Sequence, residues 1–240
     1  MSKKKIIAII PARGGSKGIK KKNIASLKGK PLIFYSIKEA KKSKLISDLV
    51  VSTDSNEIAK IAKKYGAQVP FIRPKNLSTD FAGSAPVIKH ALNFMEKFKK
   101  KKYDYVIMLQ PTCPLRSTKD IDLSLRKLMN SNSDSITSIK DVEGNHPNRM
   151  KVIKKRKLIN FIEQGFEDMR PRQKLKKIFI RNGAIYAFKR KVIMKQGTLV
   201  SKKNLPFIMP KERSVNIDTQ EDFLMAKYYL CNKWNSLIFL

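Results

Sequence analysis

The sequence predicts an α/β fold: a Rossmann-like, mostly parallel sheet in a single domain of 240 residues, with a small insert. Short all-apolar runs at 6–10 and 105–109 have the composition of strands buried on both faces. Stretches with helical periodicity and N-cap residues lie between such runs. From residue 6 to about 140 strand and helix alternate, the order expected of βαβ units.

Four of the five apolar residues in the first strand are β-branched, and Pro11 stops it. A helix over 31–42 follows, with Pro31 in its first turn and Leu32, Ile33, Ile37 and Ala40 on one side. Residues 49–52 read as the second strand. Asp54 or Ser55 caps a helix over 57–65, and Gly66 ends it. A short extended piece at 69–72 leads into a polar loop over 73–83. The helix from Ser84 to about residue 99 has Val87, Ile88, Ala91, Leu92 and Met95 as its core stripe. After the strand at 105–109, Ser117 or Thr118 caps a helix over 120–129, and a strand follows at 134–138. Beyond residue 141 the alternation stops. Runs at 151–153 and 158–161 predict a hairpin around a lysine turn, and 163–177 is polar, irregular and basic. Residues 142–180 therefore read as an excursion from the main sheet. Residues 185–188 return to it, and Thr219 caps a final helix.

Apolar content of 42% is enough for a packed core. The net charge of +33 raises the question of a nucleic-acid partner. The lysines instead form scattered clusters without interleaved aromatics or a recognised binding motif, the pattern of solvated faces. A basic nucleic-acid-binding protein is the low-ranked alternative. The same cations would attract an anionic nucleotide or an acidic sugar. Cys113 and Cys231 make neither a disulfide framework nor a metal cluster, which fits a reducing, cytoplasmic setting. The apolar run before Pro11 is too short for a signal-peptide core or a membrane span. The apolar residues at 238–240 read as a packed or frayed tail.

The chemistry gathers after the first strand, where three glycines and a serine mix with Arg13, Lys17 and Lys20 to Lys22. Glycines let backbone N–H groups approach an anion, and flanking cations neutralise it. The stretch has neither the Walker pattern nor the G-x-G-x-x-G spacing. A tight turn with solvated lysines is the plainer reading of it. Gln110 follows a buried strand, where open α/β sheets present ligand-binding groups. Asn216 and Asp218 are two apart on an extended stretch and face one side. Tyr186 reads equally as a pocket residue or as core. No Ser-His-Asp or Cys-His set is visible, and His90 reads as structural.

Pro-Ala-Arg-Gly-Gly-Ser-Lys-Gly at 11–18, with Lys22-Asn23, resembles the signature of the acylneuraminate cytidylyltransferases, the CMP-sialic acid synthetases and their legionaminic and pseudaminic acid relatives. Further matching motifs follow in order. They are Ser52-Thr53-Asp54, Arg73-Pro74, the Leu-Gln-Pro-Thr-Cys-Pro-Leu-Arg run at 109–116, Arg172-Gln173, Asn-Gly-Ala-Ile-Tyr at 182–186, and Ile217-Asp218-Thr219. The resemblance implies a reaction of CTP with a nine-carbon 2-keto sugar acid, giving a CMP-sugar and pyrophosphate. It implies Mg²⁺ or Mn²⁺ as cofactor, and a homodimer supported by the 142–180 insert.

Residue by residue, the resemblance places Arg13, Gly14, Gly15, Ser16, Lys17, Lys22 and Asn23 on the nucleotide, with Arg73, Ser84 and the backbone near Ala82. Ser84 read alone is a plain helix cap. Gln110, Arg149, Arg172 and Tyr186 would face the sugar, with Arg172 at its carboxylate; His146-Pro147 is similar to a segment near it. Arg13, Lys22 and Asp218 would carry the chemistry. Asp218 would be the main metal ligand and Asn216 a weaker, neutral one. Relatives carry Asp-Ile-Asp where this chain reads Asn216-Ile217-Asp218, so an inactive or divergent sugar-nucleotide-binding relative is an alternative. The KDO-type enzymes carry Gln-Gly-Asp-x-Pro where this chain has Gln110-Pro111-Thr112-Cys113-Pro114, which ranks that substrate low.

Overall fold

The computed structural model describes residues 4–16, 18–163 and 165–232. In chain order its elements begin with strand β1 (Ile6–Pro11) and a minimal hairpin of β2 (Ser26–Leu27) and β3 (Lys30–Pro31). Next come α1 (Leu32–Lys42), β4 (Asp48–Ser52), α2 (Asn56–Lys64), α3 (Ser84–Phe98), β5 (Tyr105–Met108), α4 (Thr118–Met129) and β6 (Ser135–Asp141). A second hairpin, β7 (Lys151–Lys154) and β8 (Lys157–Asn160), precedes β9 (Phe179–Lys189), α5 (Arg190–Gln196), β10 (Asn204–Ile208) and α6 (Gln220–Cys231).

Six strands form the main sheet in the order β10-β6-β9-β5-β1-β4. β1 runs parallel to β4 and β5, and β10 runs parallel to β6. β9 joins these two halves, antiparallel to both β5 and β6. The mostly parallel α/β class is therefore as expected.

Side chains of β1 alternate between two cores, as strand pleating requires. Ile6, Ala8 and Ile10 pack with Ile33 and Ile37 of α1 and Leu125 of α4. Ile7 and Ile9 pack with Ile88 and Leu92 of α3 and Val192 of α5. Covering the sheet on both faces is what makes the central strands read as continuous apolar runs. Helices α2, α4 and α6 start at their expected caps. The Ser55 hydroxyl accepts from Ile58 N–H, and Ser117 and Thr219 each form a reciprocal capping box with an acid three residues on. Asp222 is the acid of the last box.

One expectation needs correction, and other elements went unread. Residues 69–72, read as a short extended piece, join no strand of the sheet. Gln68 alone bridges Val50, and Pro70 offers no N–H to continue the ladder. β9 is eleven residues long and not four. Arg181, Asn182 and Gly183 interrupt its apolar pattern, and its pairing with β6 shifts register beside them. α5 and β10 were not expected. β10 is an edge strand with alternating exposure and carries Pro206, which an edge tolerates. Among the described residues no helix is long and apolar enough to cross a membrane.

Candidate functional site

A cleft of about 640 Å³ opens at the carboxyl ends of β1 and β5. Four segments line it: the glycine-rich loop after β1, the polar loop before α3, the turn after β5, and the extended stretch before α6. Parallel neighbours whose connections diverge leave such a crevice, the usual ligand position in open α/β sheets.

Of the expected nucleotide residues, Arg13, Ser16, Lys22, Asn23, Arg73, Ala82 and Ser84 line this cleft. Asn23 is buried, and its side-chain N–H donates to the Arg13 carbonyl at 2.9 Å, tying the glycine-rich loop to its own exit. Lys22 reaches across the floor, its Nζ donating to the Ile217 carbonyl at 2.8 Å and to Asp218 Oδ1 at 2.9 Å. Gly14 does not offer its amide to the cleft; that N–H donates to Asp54 Oδ1 at 2.9 Å. Gly15 stands in open space at the loop's exposed edge. Lys17 lies outside the described residues.

Gly18, which sequence reasoning left out of the site, also lines the cleft. A Cβ there would sit 2.5 Å from the Asp218 backbone carbonyl, so only glycine lets the loop approach that stretch. The signal was present in the motif at 11–18, but its contact 200 residues away was not legible.

Arg73 is buried to 5% exposure. Its Nε donates to Ser78 Oγ at 3.1 Å, while Nη2 lies 3.5 Å from Asp54 and has no hydrogen bond. Burial lowers its pKa, against the opposing pull of Asp54. A buried guanidinium with spare donors at the cleft wall is suited to bind a polar ligand. His90 sits behind it, stacked edge-on against Phe71. Burial, then the charge of Arg73, keep it below the usual histidine range, which favours a neutral packing role. Ser84 is the first helical residue of α3. Gly83 holds the cap position without a side-chain bond, so the Ser84 hydroxyl is not a cap and faces the cleft at a helix N-terminus.

Gln110 lies over Gly183, whose φ of +75° is unusual for other residues, and a Cβ there would meet Gln110 Oε1 at 2.8 Å. The irregularity in β9 thus makes room for the Gln110 side chain at the cleft wall. Arg116, fully buried, donates to the Ala184 carbonyl and to Ser36 Oγ, both at 2.7 Å, and locks the turn after β5.

Asn216 and Asp218 both face the cleft, and Ile217 between them is buried. Asn216 Nδ2 donates to Asp218 Oδ2 at 2.8 Å. Its Oδ1 points the other way, 3.5 Å from Cys113 Sγ. Burial pushes the Cys113 thiol up to about 11, so it stays a neutral donor. The expected secondary ligand oxygen is therefore turned from the cleft, because an ionised carboxylate requires the amino side of the amide. Among the described residues no three His, Cys, Asp or Glu side chains cluster as a metal site.

The expected sugar-side residues other than Gln110 are not brought to this cleft within one chain. Arg149 donates to the Arg170 carbonyl at 3.0 Å in the insert. Arg172 lines a separate cleft of about 350 Å³ beside His146. Both ring nitrogens of His146 are engaged within the chain: Nδ1 accepts from Asn148 N–H, and Nε2 meets the Lys176 carbonyl at 3.0 Å. Tyr186 pairs with Met108 and Thr137 in the sheet and packs on the α3–α5 core; burial raises its phenol. Its position is that of a core residue, since its strand lies between β5 and β6. Asp80 and Thr112 line the cleft without having been expected; both sit in loops with no periodic signal.

A doubly covered α/β sheet with a cation-lined crevice beyond its strand ends is the arrangement of a nucleotide-binding enzyme. A family model described as Cytidylyltransferase matches residues 7–233. CMP-N,N'-diacetyllegionaminic acid synthase of Campylobacter jejuni is 35% identical over 228 residues, covering 95% of this chain and 96% of that protein. Pseudaminic acid cytidylyltransferase of the same species (strain 81-176) is 32% identical, covering 93% and 95%. The solved structure of CMP:2-keto-3-deoxy-manno-octonic acid synthetase complexed with CTP superposes with a TM-score of 0.70 at 18% identity, over 95% of this chain and 99% of that one. The chain belongs to the cytidylyltransferase family, on its acylneuraminate branch, and is a CTP-dependent nucleotidyltransferase.

Proposed function

We propose that this enzyme transfers the cytidylyl group of CTP to a nine-carbon 2-keto sugar acid of the pseudaminic or legionaminic type. The observation that carries this is the convergence of Arg13, Lys22, Arg73 and Asp218 on one cleft at the strand ends. In the reaction the anomeric hydroxyl oxygen bonds to the α-phosphorus and the bond to the β-phosphate oxygen breaks. The hydroxyl proton is lost and pyrophosphate leaves. Positioning and charge neutralisation supply most of the catalysis in such displacements. On this reading Arg13 and Lys22 neutralise phosphate oxygens, Arg73 and Ser84 hold the nucleotide, and Gln110 meets the sugar.

The donor set fits Mg²⁺ of the kind held by one carboxylate, substrate phosphates and water. Asp218 is the exposed carboxylate of the cleft floor. When bound, the ion would polarise the α-phosphate. Lys22 and the Asn216 amide hold the Asp218 carboxylate in place before any ligand arrives.

The same reading makes the enzyme a homodimer in the cytoplasm. The β7–β8 hairpin and the segment after it expose Ile153 (78%), Leu158 (68%) and Met169 (82%), a surface that a second copy would cover. Arg149 and Arg172 would then serve the partner's cleft. The test is pyrophosphate release with CTP and Mg²⁺, using pseudaminic, legionaminic and N-acetylneuraminic acids and KDO. Turnover with pseudaminic or legionaminic acid in preference to N-acetylneuraminic acid, abolished in Asp218→Ala, is expected. Release with none of them, or with KDO alone, would overturn the proposal.

A further inference from the structure

Arg13 already has an anionic partner. Its Nη1 lies 2.5 Å from Asp80 Oδ1. The two residues come from opposite lips of the cleft: Arg13 from the loop after β1, Asp80 from the loop before α3, 67 positions apart. Both line the cleft, and so do Thr79 and Ala82 beside Asp80. A carboxylate oxygen at this distance uses the guanidinium donors that a phosphate oxygen would use.

Two features make the contact exchangeable. Both side chains are partly exposed, so the pair is solvent-screened and weak on its own. The loop carrying Asp80 is also lightly anchored. Its first residues are tied by Arg73 N–H to the Thr53 carbonyl and by Ser78 Oγ to the Pro74 carbonyl. Ala82 N–H bonds only within the loop, to the Thr79 carbonyl, and Phe81 next to Asp80 is 96% exposed.

We propose that Asp80 is a positioning residue for Arg13 and a built-in competitor of the triphosphate. It aims the guanidinium across the cleft mouth in the free enzyme, yields it to the nucleotide phosphates, and recaptures it as pyrophosphate leaves. The proposal rests on reading this cleft as the CTP site. Its consequence has a definite sign: a wild-type carboxylate at position 80 weakens triphosphate and pyrophosphate binding. A residue that merely braced the loop would do the opposite.

The experiment is calorimetric binding of CTP, inorganic pyrophosphate and cytidine to wild type, D80N and D80E, without sugar acid. D80N is expected to bind CTP and pyrophosphate about 3- to 5-fold more tightly, the scale of a partly exposed ion pair. D80E, which keeps the charge, is expected to stay near wild type, and cytidine affinity is expected not to change. Unchanged or weaker CTP and pyrophosphate binding in D80N would overturn the proposal. So would a gain shared equally by cytidine, which would trace to the loop and not to the phosphates. If wild type itself binds neither CTP nor pyrophosphate, the reading of the cleft fails, and this proposal with it.

Discussion

An ionised carboxylate accepts hydrogen bonds and donates none, so Asn216 must offer Asp218 its amino group, as it does at 2.8 Å. An aspartate at position 216 would set two like charges at that spacing. They would repel unless one took up a proton or a cation came between them. Asn216 thus ties Asp218 down by a neutral hydrogen bond where a second carboxylate would call for a cation or a proton. N216D is expected to bind Mn²⁺ in the absence of nucleotide, read by electron paramagnetic resonance, whereas wild type should bind it only with CTP present. Wild type binding Mn²⁺ alone as tightly as N216D would show that the Asn216 oxygen does ligate. The sequence made the shared side of Asn216 and Asp218 legible through strand alternation. It did not reveal which end of the amide faces the cleft, because Cys113, 103 positions away, helps to set that. Asp80 was illegible for a related reason: an acid in a polar loop has no pattern, and its pairing with Arg13, 67 positions away, shows only in the fold.

At the scale of elements, the start of α4 reaches further than a cap. Ser117 and Asp120 form its capping box, and Asp120 also takes two hydrogen bonds from Arg213, from Nε and Nη2, both at 2.9 Å. Arg213 belongs to the stretch leading to Asn216 and Asp218, so the cap anchors the cleft floor. Burial alone would raise the Asp120 pKa. The bonds from Arg213 and from Ser117 outweigh it, and the net shift is downward. A depressed folded pKa stabilises the fold fully above the unfolded value of about 3.9 and loses that contribution as pH falls through the folded one. D120N is expected to cost about 1–3 kcal/mol at pH 7, and to lose less stability than wild type as acid is added below about pH 4. Urea denaturation at pH 7 and pH 3 checks both. Equal losses on acidification would show that Asp120 is not a linked group. The cap was visible in sequence as Ser117 or Thr118; the Arg213 tie, 93 positions away, was not. The same limit hid half of β9. Its apolar end was legible, but its Arg181-Asn182-Gly183 portion is shaped by Gln110 and β6, and such polar residues do not announce a strand.

For the whole molecule, two features pull against each other. A two-stranded hairpin has marginal stability without cover, and β7–β8 exposes Val152, Ile153, Leu158 and Ile159 on both its faces. Covering that surface with a second copy buries the apolar side chains, yet it brings together two chains of net charge +33. Salt screens the repulsion over about 8–10 Å and leaves apolar burial in place. Dimerisation should therefore tighten as ionic strength rises, the reverse of an interface held by opposite charges. Sedimentation velocity is expected to find a dimer at micromolar concentration in 0.3 M salt and partial dissociation at 0.03 M. Replacing Ile153 and Leu158 by glutamate is expected to give a folded monomer that still binds CTP, since the nucleotide cleft is built within one chain. On the proposed dimer that monomer should lose sugar-acid transfer, because Arg149 and Arg172 lie outside their own chain's cleft and would serve the partner's. A wild type that is monomeric at every salt concentration would remove the interface from this face. A double variant with full transfer would take Arg149 and Arg172 out of the sugar site.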